Sequence, residues 1–571
     1  VEESVKVQLD ALAARDLELG ALASEQYGLS DGVAGSSALN GQFPELPAFT
    51  KFHGEFRLRL QHRIRVALRW RLAGILRRDS APDHGMVTER ARCTKAGEYV
   101  VFHPRRVMLP RDVTSVLESA GGADFVYGDS LHFDPSEAGR FRHVLRPGWS
   151  PERLLSHCYV GDVVAVKSGL VAGAGGRRLL ADLSPHERAL RLAGVSRSHA
   201  RAARILSAAV GFPTPPGFDV GAVQAVLDEA GIEAECTLAA NGSTVRVARR
   251  LEGAPKVSVI IPTRGTRAVI GGAERVLVVE AVRQMVERLS HSNLEFVVVT
   301  DSDTPESVVD SLRSICGDRL TMVAHEGPFN FARKINSGVV RSTADYLLFV
   351  NDDIEIESTD VVETLLSHLR DPDVGIVAPL LQFGDGTVQS AGHILNPAPF
   401  DLYRGFPIDL PGGDGILHAA RETSSVIAAF AMTRRSDFES VGGLCEGFPG
   451  DYNDVDYCLK LALLGKRTMV TPHARCIHFE SKTRVAVPDP VATDRLRSRW
   501  DRLLRADPYG NPMLQPWEFV WKTNVDTAES LGDAFGVEVK WDSWRWFLLN
   551  TRDDRFLHRT RYYPRWTRVD G

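Results

Sequence analysis

From Pro255 onward the chain alternates short, wholly apolar segments with amphipathic ones, and this rhythm restricts the fold more than any other feature. Val257–Ile261, Leu294–Thr300, Leu320–Ala324 and Tyr346–Val350 read as strands, with helices over Glu274–Leu289, Pro305–Cys316 and Phe331–Arg341 between them. A strand apolar on both faces has no side to offer to water, so the sheet it joins is covered twice. Alternation with helices predicts a parallel α/β sheet, whose ligand crevice lies at the carboxyl ends of the strands.

Polar residues stand at three of those ends: Pro262-Thr263-Arg264-Gly265, Asp301-Ser302-Asp303 and Asn351-Asp352-Asp353. One carboxylate there can hold base or ribose hydroxyls, and one after a later strand can hold a divalent cation on a diphosphate. An Asp-Asp pair after a strand is also a common cap or turn. The sequence has neither a Walker A motif nor G-x-G-x-x-G, which counts against ordinary ATP- and NAD-binding classes. Downstream, Gly450–Gly465 predicts a helix with Leu459, Ala462 and Leu463 on its apolar side and Gly465 as its C-cap. Asp454 and Asp456 at its start either cap it or, in the case of Asp454, face the crevice as a general base. His478 ends a short strand, where a lone histidine is more often structural than a ligand.

Taken together, these pieces resemble the family 2 glycosyltransferases of the GT-A fold, of the bacterial cell-surface polysaccharide (rhamnosyl- or galactofuranosyl-transferase-like) kind. The resemblance runs from Val257 to about Pro512. It is carried by Val257-Ser-Val-Ile-Ile-Pro-Thr-Arg264, Phe329-Asn-Phe-Ala-Arg-Lys-Ile-Asn336-Ser-Gly338, Leu347-Leu-Phe-Val-Asn-Asp-Asp353, Asn453-Asp-Val-Asp456, His478-Phe-Glu-Ser481 and Asp507-Pro-Tyr-Gly-Asn-Pro512. It implies that Pro262, Thr263 and Arg264 line a base pocket, with Asp301 or Asp303 near the base and ribose, and that Arg333, Lys334 and Asn336 flank the nucleotide. Asn351-Asp352-Asp353 takes the place of the family's D-x-D site, with Asp353 and His478 on a Mg²⁺ or Mn²⁺. Asp454 takes the place of the usual base. Asn351 and Asn453 depart from the more usual Asp and Glu, keeping a polar group. The reaction implied is one inverting displacement from a UDP- or dTDP-sugar onto a hydroxyl of a growing, lipid-linked surface glycan.

The N-terminal half carries a damaged echo of the same pattern. Gly97-Glu-Tyr-Val-Val-Phe102 can be laid on Ala344-Asp-Tyr-Leu-Leu-Phe349, which puts Pro104-Arg105-Arg106 where Asn351-Asp352-Asp353 stands. Arg188-Ala-Leu-Arg-Leu192 can be laid on Tyr457-Cys-Leu-Lys-Leu461, which puts Pro185 at the place of Asp454. Neither substituted site could bind a divalent cation or accept a proton. The region also resembles the acceptor side of tandem glycosyltransferases through Asp124–Asp129, Arg146-Pro-Gly-Trp-Ser-Pro-Glu-Arg-Leu-Leu155 and Tyr159-Val-Gly161. The expected organisation is a helical region with a linker and a basic helix over 1–95, a degenerate GT-A-like domain over 96–215, a connecting α/β segment over 216–254, the catalytic GT-A domain over 255–515 and a Trp-rich tail over 516–571.

Composition narrows the partners. Lys plus Arg number 68 against 73 Asp plus Glu, a net charge of −5, which excludes a generally basic nucleic-acid binder. Seven cysteines with no C-x-x-C pair read as reduced thiols, as in the cytoplasm, and the acidic start Val1-Glu-Glu-Ser-Val lacks the apolar core of a secretory signal. No run reaches the roughly 20 apolar residues of a membrane span. The helix expected over Phe56–Arg78 carries eight arginines and no acid, which suits either docking on protein or a peripheral contact at the inner face of the plasma membrane. Six of the nine tryptophans fall after residue 516; packing back on the catalytic domain is the first expectation, with acceptor or membrane contact second. The expected partners are thus a nucleotide-sugar donor and a glycan or glycolipid acceptor. The principal alternative is a non-catalytic glycan-binding scaffold built from GT-A domains; a nucleotidyltransferase and a membrane-surface adaptor are the others.

Overall fold

The computed structural model describes residues 2–28, 90–134, 140–210, 215–270, 272–479, 489–514, 516 and 520–521. The linker after Gly28, the arginine-rich helix expected over Phe56–Arg78 and nearly all of the Trp-rich tail lie outside them. Every described residue belongs to one structural unit, Val1–Gly28 with Arg90–Gly571.

Its centre is a ten-stranded sheet. The strands, in chain order, are β1 Val257–Thr263, β2 Leu294–Asp301, β3 Leu320–His325, β4 Tyr346–Val350, β5 Ile354–Ile356, β6 Val374–Gln382, β7 Val388–Ser390, β8 Arg421–Thr423, β9 Phe430–Arg434 and β10 Arg467–His478. In space they run β3-β2-β1-β4-β9-β6-β10-β5, with β7 on β6 and β8 on β10. The apolar strands are buried because both faces are covered. Val257, Val259 and Ile261 enter one core with the helices Leu277–Arg288, Glu306–Cys316 and Val361–Leu369. Ile260 enters the other, with Phe331–Arg341, Asn453–Leu463 and the N-terminal helix Glu2–Tyr27. Each such aliphatic side chain contributes about 1.5–3 kcal/mol when fully buried.

Two expectations need correction. The sheet is mixed: it is parallel from β3 to β4 and again between β6 and β10, and antiparallel elsewhere. β9 runs antiparallel to both β4 and β6. Asn351, just past the end of β4, donates its backbone N–H to Ala429 O, just before β9, so the chain enters β9 from the crevice side without a helical crossover. A doubly covered strand is apolar whichever way it runs, so sequence could not tell. The helix expected over Glu274–Leu289 begins at Leu277 instead; Ala273–Val276 pairs with Arg267–Ile270 in a hairpin crossed by an Arg267–Glu274 ion pair of 3.3 Å.

The N-terminal half holds a smaller sheet that starts with Arg92–Ala96, inside the region expected to be helical and linker. Tyr99–His103 is antiparallel to Val164–Lys167, which is antiparallel to Phe125–Tyr127, which is parallel to His199–Arg201. The same directions recur, in the same chain order, through β4, β9, β6 and β10. The next layer follows suit. Val107 pairs with Ala209 antiparallel, as Ile354 pairs with His478. That register sets Pro104, Arg105 and Arg106 opposite Asn351, Asp352 and Asp353, and Ala209 opposite His478. Strands β1 to β3 have no counterpart among the described residues there; Arg92–Ala96 lies antiparallel beside Tyr99–His103 instead.

Buried charges fasten the pieces together. Glu152 takes a forked pair of bonds from Arg249 at 3.0 and 2.7 Å. Glu422 accepts from Ser150 Oγ, from the Glu152 backbone N–H and from Arg467. Asn511 donates to Asp129 at 3.0 and 3.1 Å and to Arg146 O at 2.8 Å. A side chain at Gly148 would meet Pro508 O at 1.7 Å, so the Arg146-Pro-Gly and Asp507-Pro-Tyr-Gly-Asn segments pack backbone to backbone. The helix Glu2–Tyr27 is pinned by Asp16 on the fully buried Lys460 at 2.6 Å. From the tail, Trp521 donates its indole N–H to Leu145 O at 3.0 Å. Among the described residues no helix is long and apolar enough to cross a membrane.

Candidate active site

The carboxyl ends of β1 and β4, the chain entering β9 and the start of the helix Asn453–Leu463 enclose a cleft of about 370 Å³. Pro262, Thr263, Arg264, Lys334, Asn351, Asp352, Asp353, Asp454 and His478 line it, with Phe329, Phe331 and Tyr452. These residues span more than 200 positions of chain; the strand ends bring them together.

At its floor Thr263 Oγ1 donates to Asp352 Oδ2 at 2.6 Å and accepts from Gly265 N at 2.9 Å. Burial pushes the Asp352 carboxyl up to about 6, opposed by the Thr263 bond and reinforced by the charge of Asp353. Lys334, wholly buried, binds Thr263 O at 3.1 Å and Asp301 at 2.7 Å. Arg264 reaches over them, 3.5 Å from Asp301 and 3.9 Å from Asp303.

Asp353 Oδ1 lies 3.0 Å from His478 Nε2. The other ring nitrogen, Nδ1, is 2.9 Å from Gln389 Oε1. That oxygen can only accept, so Nδ1 donates to it, and the Asp353 carboxylate facing Nε2 is an acceptor too. A proton on Nε2 or a cation between the two groups satisfies that 3.0 Å contact. Asn351 Oδ1 is buried without a hydrogen bond, while its amide nitrogen lies 3.3 Å from His478 Nε2. An amide oxygen, a carboxylate and an imidazole form a donor set suited to Mg²⁺ or Mn²⁺.

Asp454 sits in the first turn of its helix. Its Oδ2 accepts from Ala428 N at 3.2 Å and its Oδ1 from Val455 N at 2.8 Å. Burial raises its pKa, and the positive field of His393 pulls it back. His393 lies opposite Asp401 in a short hairpin, 3.3 Å from that carboxylate and 2.8 Å from Ser425 Oγ. Asp401 and Asp454 favour its charged form against burial.

The remaining expected residues stand elsewhere. Asn336 is outside the cleft lining; its amide donates to Leu444 O and accepts from Leu444 N, both at 2.9 Å, which fastens a loop. Arg333 pairs with Glu446 at 2.7 Å. Asp301 and Asp303 reach the cleft through Lys334 and Arg264. Asp456 is fully buried and takes bonds from Arg499 at 3.0 Å and Trp500 at 2.9 Å. Asp16, Cys445 and Asp456 also bring ligand atoms close together, but Lys460 and Arg499 already supply the positive charge there. Sequence reasoning missed Gln389, His393 and Asp401, which lie in three-residue strands with no periodic pattern to read.

A mixed α/β sheet with carboxylates gathered at the ends of its parallel strands defines the GT-A class of nucleotide-sugar transferase folds. Residues 258–442, about a third of the chain, form a domain that matches the family described as Glycosyl transferase family 2. It is 31% identical over 409 residues to the O-antigen biosynthesis protein RfbC of Myxococcus xanthus, covering 68% of this chain and 31% of that protein. It is 30% identical over 276 residues to the uncharacterized protein y4gI of Sinorhizobium fredii, covering 46% of this chain and 30% of that one. The chain thus spans about a third of the length of these curated relatives. A solved mannosyltransferase of Pyrobaculum calidifontis, in complex with GDP-Man and Mn²⁺, aligns at 19% identity and a TM-score of 0.31 over 44% of this chain and 71% of its own.

Proposed function

We propose that the cleft transfers a sugar from a nucleotide-diphosphate donor, a UDP- or dTDP-sugar, to a hydroxyl of a growing, lipid-linked cell-surface glycan with inversion at the anomeric carbon. The carrying observation is the convergence of Thr263–Asp352, Asp353–His478 and Asp454 on one cleft of a family 2 domain. The similarity to a protein named for O-antigen biosynthesis supports the acceptor class. Asn351, Asp353 and His478 would hold a Mg²⁺ or Mn²⁺, which when bound offsets the diphosphate's charge. Pro262, Thr263 and Arg264 hold the base end, and the Arg264–Asp301–Lys334 group positions the ribose and phosphates. Asp454 takes the proton of the acceptor hydroxyl as that oxygen bonds to the anomeric carbon, while the bond to the diphosphate breaks and the nucleoside diphosphate leaves. The reaction takes place at the cytoplasmic face of the membrane. The N-terminal half, whose pairing order matches that of β4, β9, β6 and β10, is a truncated repeat that cannot hold the cation; it supports the catalytic domain and the glycan.

The test is a thermal-shift panel of nucleoside diphosphates and nucleotide sugars with and without Mn²⁺, on wild type and Asp353→Ala. Ligand bound to the folded state raises Tm by mass action. A Mn²⁺-dependent shift with UDP or dTDP compounds, lost in the variant, is expected. No shift with any nucleotide on folded protein would favour a glycan-binding scaffold.

A further inference from the structure

The short hairpin of His393–Leu395 and Pro399–Asp401 carries an ion pair, and neither of its members lines the cleft. His393 Nε2 lies 3.3 Å from Asp401 Oδ1, and Arg404 flanks the same carboxylate at 3.4 Å. His393 Nδ1 lies 2.8 Å from Ser425 Oγ, and both residues are buried. The backbone joins in: His393 N donates to Ser425 O at 2.8 Å, and Thr423 Oγ1 donates to His393 O at 2.8 Å. The two segments meet closely at Gly392, where a side chain would come within 2.6 Å of Thr423 Oγ1.

What this clamp holds is a wall of the cleft. Three residues past Ser425, Ala428 N donates to Asp454 Oδ2, and Ala429 O accepts from Asn351 N. The proposed base and a proposed cation ligand thus both hang from the segment that His393 fastens. An uncharged side chain could fasten it as well, and at less cost, because a charge is expensive to bury. The imidazole adds charge. Against burial, the charges of Asp401 and Asp454 raise its pKa and favour the imidazolium. That charge acts on Asp454 in turn, opposing the upward push of burial, to which Asp401 adds. Tyr452 and Cys458 also face Asp454, and burial raises the pKa of both, so neither supplies charge there. Arg404 faces His393 with a charge of like sign and is engaged with Asp401.

We infer that the Asp401–His393 pair is a positioning device for the base: it fastens the 423–429 segment that hydrogen-bonds Asp454 and keeps a buried positive charge acting on that carboxylate, which is thereby held ionised to receive the acceptor's proton. The role rests on the transferase reading above. Both residues act through Asp454 and neither meets the substrate. Asp401 does for His393 what His393 does for Asp454, so the three charges alternate in sign and each neighbour supports the next.

The experiment reads charge first and rate second, on the full chain. With histidine labelled with ¹³C at Cε1, the His393 resonance, assigned by its loss in His393→Gln, is followed against pH by NMR. Its midpoint is expected above the ordinary histidine value of about 6.5, and lower in Asp401→Asn and in Asp454→Asn than in wild type. Transfer at saturating donor is then followed against pH for His393→Gln and Asp401→Asn. Losing the positive charge moves the acid limb of the profile to higher pH, so each variant should be roughly threefold or more slower on that limb, with the deficit shrinking as pH rises. His393→Asn takes the place of His393→Gln if the latter melts early. A wild-type midpoint at or below the ordinary value, a midpoint unmoved by Asp454→Asn, or a rate deficit equal at every pH would each overturn the inference and leave the hairpin as a fastening only. The two readings fail separately: wild type that transfers no sugar sinks the transferase reading, whereas the coupling of His393 to Asp454 is measured without turnover.

Discussion

Asp454→Asn keeps the shape of the side chain and removes its charge, so it separates the proposed base from a structural cap. In the wild type each carboxylate oxygen accepts one backbone N–H, from Ala428 at 3.2 Å and from Val455 at 2.8 Å. An amide has one accepting oxygen and one donating nitrogen, so one of those N–H groups must face another donor. Leaving a buried donor unmet costs about 1–3 kcal/mol, while removing the charge relieves a burial penalty that outweighs the attraction to His393 and so acts the other way. Urea unfolding should report a loss no larger than that of the unmet donor. Transfer, followed as nucleoside diphosphate released in the presence of acceptor, should fall roughly 10²- to 10⁴-fold, or about 3–5 kcal/mol on the barrier. The donor is held by Thr263, Lys334 and the Asp352–Asp353 group, so the nucleotide dissociation constant should stay within about threefold, a change of less than about 1 kcal/mol. Burial raises the Asp454 pKa, so the wild-type rate should climb with pH through a value above the ordinary carboxylate range, about 4. A variant that transfers within tenfold of wild type refutes the base assignment. A rate loss matched by an equal loss of nucleotide affinity refutes the separation between donor site and base.

Gln389→Leu removes the hydrogen-bond partner that orients the His478 ring from its Nδ1 side; Mn²⁺ affinity by calorimetry should drop about 10- to 100-fold, and an unchanged value would show that Gln389 does not position the ring for a cation. Asp352 has its pKa raised to about 6 by burial, so the negative charge it adds beside the Asn351, Asp353 and His478 set should strengthen Mn²⁺ binding as pH rises through about 6. The sign for folding is opposite: the folded protein keeps this proton between about 4 and 6 while the unfolded chain loses it, so this group's contribution to stability falls as pH rises through that window. Equal Mn²⁺ affinity at pH 5 and pH 7.5 would contradict the assignment. Glu152→Gln leaves the buried Arg249 without its counter-charge and should cost about 3–5 kcal/mol in urea unfolding, with Arg249→Met in the same chain restoring part of it. Arg249 and His368 hold Glu152 well below the usual carboxylate range against burial, so the wild-type pair stabilises fully above about pH 4.3 and loses its effect as pH falls toward the depressed value. A loss below about 1 kcal/mol would mean the pair behaves as an exposed one.

The strands from Val257 to Val350 were legible within a residue or two: β1, β2 and β4 are covered on both faces and read as apolar runs, while β3, at the sheet edge, is only part-buried. Phe331–Arg341 was legible to the residue, its Asn330 cap accepting from Arg333 N at 2.9 Å. The hairpin Arg267–Val276 was not, because Glu274–Val276 lead straight into a genuine helical stripe. Asn336 and Asp456 carry chemistry that a sequence reader assigns to sites, yet each is spent on the fold. Gln389, His393 and Asp401 were invisible, since their roles come from a ring and a carboxylate meeting across short strands.

The sequence by itself determined the local periodicities, the polar residues at the strand ends and the family likeness they carry, because each is a property of neighbouring residues. Only the tertiary structure decided the direction of β9, the placing of His478 between Gln389 and Asp353, the fastening of Asn511 to Asp129 across 382 positions and that of Asp16 to Lys460 across 444. These depend on which distant groups share one buried space, where an unpaired charge or polar atom is costly. No window along the chain contains both partners of such a contact.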